Sequence, residues 1–481
     1  MSGRLTAVPP SPARVSWLFV TTRPIAIVGG GISGLSAAWE LQKRGAAWVL
    51  LEAGPRVGGV IRTEEEDGFL LEGGPDSILA QKPEGVALCR ELGLDDRLIP
   101  TNPELKAVYI LRGGRLHALP EGMMLAVPTK ILPFLSSGLF SWPGKLRMGL
   151  DLVRPGLQEN GDESIATFLR RRFGQEAVER LGEPLLAGIH AGDPERLSIL
   201  ATFPRFRDLE AKHGSLVRGM WKAPRPKPQP GARPPAAFYS LRGGLRELVD
   251  ALVSRLPADS IRTGATVRSL TREGDGYSVG LEGGETVKVS GVIVAAPGPK
   301  IAPALEALLP DVSRTLAAIP FASSATVLLG FRREDVAHPL DGYGMVIPQT
   351  EGLRTTATSF VSTKFAHRAP EGHVLLRGFL GGVRDGGVLD LSDEEMVETV
   401  RRDMTPVLGL KREPVLARIF RWPGGTPQLE VGHLERMRAV ESAVGEVPGL
   451  HLTGAGVWST GIPDSVADGT RVAAAAAERV Q

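Results

Sequence analysis

The sequence predicts a mixed α/β protein built on a Rossmann-like dinucleotide-binding unit. Three observations predict it. The pattern Gly29-x-Gly31-x-x-Gly34 stands between a short apolar run and an amphipathic one. Residues 121 to 220 carry apolar residues at helical spacing, whereas 301 to 414 alternate strand-like runs with a helix. The C-terminal stretch returns to strand, glycine-rich loop and alanine-rich helix, so the first and last segments read as one layer interrupted in sequence.

The elements follow in order. "PIAIVGG" is a buried strand, Ile32 to Arg44 a helix stopped by Gly45, and "AAWVLLEA" a second strand. "DGFLLEGGPDS", 67 to 77, is a strand running into a turn. "AVYILRGGRLHALP" forms a hairpin that reverses at Gly113-Gly114. "DESIATFLRRRFG" opens a helix with Asp162 or Ser164 as its cap. "KAPRPKPQPGARPP", 222 to 235, is Pro-rich and basic and reads as a surface loop. Strands return at "ATVRSL", "YSVGLEGG" and "KVSGVIVAAP", then at "ATVLLGF" and "HVLLRGFLGG", before a helix begun by "LSDEEMVETV". Asp464 or Ser465 is expected to cap the last helix, whose positive end favours negative charge beside it.

Composition excludes several classes. The chain has 481 residues, enough for two or three domains, with 42% hydrophobic and 23% charged residues. A net charge of +2 gives no general field for nucleic acid. One cysteine, Cys89, excludes an internal disulfide and fits a reducing cytosol. Eight scattered histidines without metal-ligand spacing predict no metal site. Residues 1 to 23 read as a disordered extension, because the apolar run Val15 to Val20 is too short for a signal peptide or a span. "GMMLAVPTKILPFLSSGLFSWPG", 122 to 144, is long and apolar, but Lys130, Pro128 and Pro133 interrupt it. It reads as buried helices and loops, or as a surface resting on a membrane.

The glycines have separate tasks. Gly29 permits the tight turn, Gly31 lets backbone approach a pyrophosphate, and Gly34 allows close helix–strand packing. Unpaired N–H groups of the helix start then face the phosphates. Glu52 follows the second strand, 18 positions after Gly34, where a carboxylate takes ribose hydroxyls.

The continuation "EAGPRVGGVIRT", 52 to 63, resembles the second glycine motif of the flavoenzyme superfamily of amine oxidases, phytoene desaturases and porphyrinogen oxidases, which points to FAD. "LEGGPDS", "EPLLAGIHAGDPERLSILATFP", "LRGGLREL", "TPQLEVGH" and "TGAGVWSTGIPDSVADG" follow in the order of the porphyrinogen oxidases of haem synthesis. "VPTKILPFLSSGLFSWPGKLR" and "APEGHVLLRGFLGG" most resemble the bacterial coproporphyrinogen III oxidases. The resemblance spans about residues 24 to 475. It implies an FAD-binding domain (24–82, 239–300, 415–481), a mixed-sheet substrate domain (101–120, 301–414) and a helical domain (121–238). It also implies six-electron oxidation of a porphyrinogen, with O2 as acceptor and H2O2 as by-product.

Carried over by residue, the resemblance assigns Gly29, Gly30, Gly31, Ile32, Ser33, Gly34, Glu52, Ala53, Arg56, Gly58 and Gly59 to FAD. Gly74, Pro75, Asp76 and Ser77 pass beside the flavin, with Val267 near the adenine and Trp422 by the ring system. Gly461, Ile462 and Pro463 lie at its pyrimidine end. Val267 and Trp422 also read as ordinary core contacts. Lys82, just past the flavin-side turn, is the candidate for a substrate propionate, and reads equally as a solvated lysine. No catalytic acid or base stands out. The chain departs from the family at Trp458-Ser459-Thr460-Gly461, where relatives have "EGVG". It also has Ser465 for Cys, Leu429 for Tyr and His190 for Tyr. Alternatives are protoporphyrinogen IX oxidation, amine or carotenoid oxidation, and a binding module without catalysis. The expected setting is the cytoplasm, with peripheral contact at the inner membrane face and with haem-pathway enzymes as further partners.

Overall fold

The computed structural model describes residues 23–105, 107–124, 126–156, 161–222, 236–458 and 460–479. Nearly all of the expected N-terminal extension and of the Pro-rich segment lies outside them.

Strands Ile25–Val28, Trp48–Leu51 and Gly291–Val294 are apolar along their whole length and buried on both faces, as central strands of a parallel sheet must be. They form a five-stranded parallel sheet in the order 261–262, 48–51, 25–28, 291–294, 450–452. Because side chains alternate, Ile25 and Ile27 pack on one face with helices Ile32–Lys43, Arg246–Val253 and Ile462–Glu478. Ala26 and Val28 pack on the other face, under the antiparallel strands 267–273, 276–281 and 286–289. The segment "KVSGVIVAAP" therefore divides into two strands of two sheets, parting at Ser290.

A seven-stranded sheet runs in the order 416–427, 321–332, 373–381, 355–360, 342–346, 107–112, 115–118. It is antiparallel except where 342–346 meets 107–112. The predicted hairpin forms, with Gly113 and Gly114 at φ +56° and +73°. One face carries helix Asp393–Leu408 through Met396, Val400 and Met404. The other face meets the nucleotide layer through Phe69, Leu328, Leu375 and Phe420, and the helical region through Ile110, Val346 and Ala357. Three units thus converge on one sheet face.

Two expected boundaries move. Strand Leu416–Pro427, assigned to the FAD-binding side, is the edge strand of the seven-stranded sheet, paired to Phe321–Arg332. Helices Gly298–Leu305 and Pro310–Ala317, assigned in part to the substrate side, pack into the nucleotide-layer core through Ile301, Leu305, Val312 and Leu316. Both shifts follow from where apolar surface finds a partner, which short-range pattern does not specify. In the helical region Ser164 is the cap, accepting from Thr167 N–H at 3.1 Å. Asp162 instead accepts from the Ser198 hydroxyl and the Gly432 N–H.

Candidate functional site

The three fingerprint glycines separate by what surrounds them. Gly29 has φ +108°, and a Cβ there would stand 2.9 Å from the Ala295 and Ala296 backbone. A Cβ on Gly34 would overlap the Gly29 carbonyl, so helix Ile32–Lys43 sits directly on the strand end. Gly31 differs. It is extended (φ −70°, ψ −180°) and a Cβ there would meet nothing within 4 Å. As a glycine N-cap it has no side chain to accept from the first turn, so no cap bond covers the N–H end of the helix.

A second loop closes over the first. Gly58 N–H donates to the Gly30 carbonyl at 2.7 Å, and a Cβ on Gly59 would lie 3.2 Å from Gly31 Cα. Arg56 folds this loop by donating to the carbonyls of Val57, Gly59 and Ile61. Glu52 joins the two turns, accepting from Gly30 N–H at 2.6 Å and Gly54 N–H at 2.7 Å, with Ala53 exposed beside it. Val267 is buried two residues past Ala265, whose N–H donates to the Glu52 carbonyl. The bare open face at Gly31, the uncapped helix start and the carboxylate beside it fit the diphosphate and ribose of a dinucleotide.

The remaining expected residues gather at the junction of the two large sheets. Trp422 Nε1 donates to the Gly73 carbonyl at 3.0 Å, so the indole lies against the Gly74–Ser77 turn. A Cβ on Gly74 would collide with the Val60 carbonyl, which seats that turn on the second glycine loop. Ser240 Oγ donates to the Asp76 carbonyl, and Ser77 Oγ to the Asp76 carboxylate, at 2.8 and 2.7 Å. The last helix starts at Ile462 with Gly461 as N-cap and Pro463 in its first turn. The expectation of a side-chain cap is not met. Asp464 takes Lys82 Nζ at 2.6 Å on both carboxylate oxygens, and Ser465 is buried. Lys82 is therefore a half-exposed ion-pair partner of the last helix's first turn.

Two departures lie at one hydrogen bond. Gln428 Nε2 donates to the His190 carbonyl at 3.0 Å, next to buried Leu429. Burial pushes the His190 imidazole down to about 4, so the ring is neutral at physiological pH. Trp458 packs partly buried on the core of the nucleotide layer, while Ser459 lies outside the described residues. Sequence reading missed two cations. Lys364 and Arg377 both face Asp76. Arg377 had a signal, a lone charge inside the apolar run "HVLLRGFLGG". Lys364 had none.

The family described as "Flavin containing amine oxidoreductase" matches residues 32–477. The chain belongs to that family. FAD is accordingly the dinucleotide of this enzyme, and the open face at Gly31 agrees with it. Among relatives of this flavin family, the Bacillus subtilis (strain 168) protein named coproporphyrinogen III oxidase is 38% identical, covering 92% of this chain and 96% of its own length. The Propionibacterium freudenreichii protein of the same name is 36% identical over 92% and 89%. A solved structure from Exiguobacterium sp. 255-15 matches with TM-score 0.83 and 32% identity, covering 95% of this chain and 99% of the other. Putrescine oxidase, at 20% identity and TM-score 0.67, shares the fold.

Proposed function

We propose that this flavoprotein oxidase converts coproporphyrinogen III to coproporphyrin III in haem synthesis. Six electrons and six protons pass to three O2, giving three H2O2. One observation carries the substrate: relatives named coproporphyrinogen III oxidase, at 38, 36 and 33% identity, match 92 to 93% of the chain. Relatives named protoporphyrinogen oxidase reach 33% over 89%.

When bound, FAD supplies two-electron oxidation. The chain's part is to bind and orient. In this reading the two glycine loops hold the diphosphate, Glu52 the ribose, and Val267 the adenine end. The Gly74–Ser77 turn with Trp422 holds the ring system, and Gly461-Ile462-Pro463 closes its far end. Neutral His190 is suited to packing against an uncharged macrocycle and not to pairing with a carboxylate. The test is a side-by-side assay of coproporphyrinogen III and protoporphyrinogen IX, read by porphyrin fluorescence. A higher kcat/KM for coproporphyrinogen III is expected, and a clear preference for protoporphyrinogen IX overturns the assignment.

Among the described residues no helix is long and apolar enough to cross a membrane. In this reading the enzyme works in the cytosol and rests on the inner membrane face through its helical region. Trp142, Leu146, Leu150 and Val153 recur at helical spacing yet are 64, 72, 42 and 75% exposed, and Leu132 is 80% exposed. Lys145 ties helix Trp142–Gly149 to helix Ile131–Ser136, donating to the Leu135 carbonyl at 2.6 Å and lying 4.6 Å over the Trp142 ring. Exposed Arg154 follows this apolar face, and exposed Lys130, ion-paired with Glu121, precedes it; such basic residues suit a surface that meets anionic lipid.

A further inference from the structure

The Gly73–Ser77 turn rests on more positive charge than its carboxylate balances. Asp76 Oδ2 accepts from Lys364 Nζ at 2.9 Å and lies 3.9 Å from Arg377 Nη1. The three side chains are only 12, 13 and 6% exposed. Arg377 lies 4.7 Å over the Phe379 ring and donates to the carbonyls of Gly73 and Gly74. Its Nε, fully buried, has no partner among the described residues. Burial pushes the Asp76 carboxyl up, but Lys364 and then Arg377 outweigh it and hold it well below the usual range. One carboxylate thus faces two cations. Buried Glu72 and Arg368 add one charge of each sign, and burial pushes Glu72 up to about 7, so it offsets Arg368 only in part at neutral pH.

A surplus of buried positive charge is costly unless negative charge comes to it, and in a low-dielectric setting it favours any group that gains such charge. A bound ring that takes up two electrons and one proton gains one negative charge. The same turn is the one Trp422 touches and the second glycine loop supports. We propose that the Asp76–Lys364–Arg377 cluster is a charge-balancing element that raises the reduction potential of the ring bound against the Gly73–Ser77 turn. It rests on the placement of FAD given above.

The test is the midpoint potential of bound FAD in purified holoenzyme, normalised to flavin content. Lys364→Met is expected to shift the reduction equilibrium at least tenfold toward the oxidised form, about 30 mV for a two-electron couple. Asp76→Asn is expected to shift it at least tenfold the other way, while Lys364→Arg stays near wild type. Opposite signs distinguish charge from loosened packing, which would move both variants alike. Shifts of one sign, or none, overturn the proposal. If Lys364→Met does not accumulate, Arg377→Met against Arg377→Lys gives the same comparison. Wild-type protein that purifies without flavin absorbance refutes the placement of FAD itself, a result distinct from unshifted potentials in a loaded enzyme.

Discussion

Replacing Gly31 by Val should empty the enzyme of FAD without unfolding it. The backbone at Gly31 is one that any residue adopts, and a Cβ there meets nothing within 4 Å. The protein itself therefore has room for the side chain. The cost to the apoprotein is a poor N-cap, about 1 kcal/mol or less relative to glycine. The ligand has no such room, because the first carbon alone stands ~1.5 Å out from the backbone, a single-bond length. Pushing a diphosphate back by that distance breaks two or more charge-assisted hydrogen bonds, each worth about 1.5–3 kcal/mol. The sum exceeds about 3 kcal/mol, which is at least a hundredfold in Kd. Gly34→Val is the contrast, since its Cβ would overlap the Gly29 carbonyl. It should destabilise the fold by more than about 3 kcal/mol. The assay is the ratio of flavin to protein absorbance after purification, with thermal melting of the apoproteins. Full FAD content in Gly31→Val would falsify the placement of the diphosphate. Wild-type stability in Gly34→Val would refute the packing role.

Lys82→Ala should lower kcat/KM for coproporphyrinogen III about tenfold or more, and less for protoporphyrinogen IX, if Lys82 reaches a propionate. Asp464→Asn, which releases the Lys82 ammonium, should spare both substrates, and equal losses in the two variants would make the pair a support of the last helix. Leu146→Glu and Trp142→Asp should abolish sedimentation with anionic vesicles at unchanged melting temperature, because both side chains are mostly exposed; unchanged sedimentation removes the membrane reading. His190 has its folded-state pKa pushed from 6.5 down to about 4, so between those values the unfolded chain binds its proton first and stability falls as pH falls. His190→Gln should flatten that part of the acid-unfolding profile, and an unchanged profile would show that the ring is already solvated.

Local requirements were legible in the sequence because their causes are local. The glycine turn needs φ +108° at Gly29, the hairpin needs two left-handed residues at Gly113 and Gly114, and Ser392 with Glu395 closes a reciprocal cap on the helix that "LSDEE" announces. Buried parallel strands were legible as unbroken apolar runs. These short-range features announced the α/β class and the dinucleotide layer, with its glycine turn at Gly29, Gly31 and Gly34.

The tertiary structure alone decided which surfaces those elements share. Whether Leu416–Pro427 extends one sheet or another depends on which partner edge is open, and its own residues are compatible with both. The pairing of Asp76 with Lys364 spans 288 positions, and that of Lys82 with Asp464 spans 382. Such pairs arise because the nucleotide layer, the seven-stranded sheet and the last helix pack together, and no period or spacing in the chain encodes that contact. The exposed stripe from Trp142 to Val153 has the same origin: the sequence leaves the run into it open between a buried and a surface reading, and the packing of the helical region leaves the stripe facing solvent.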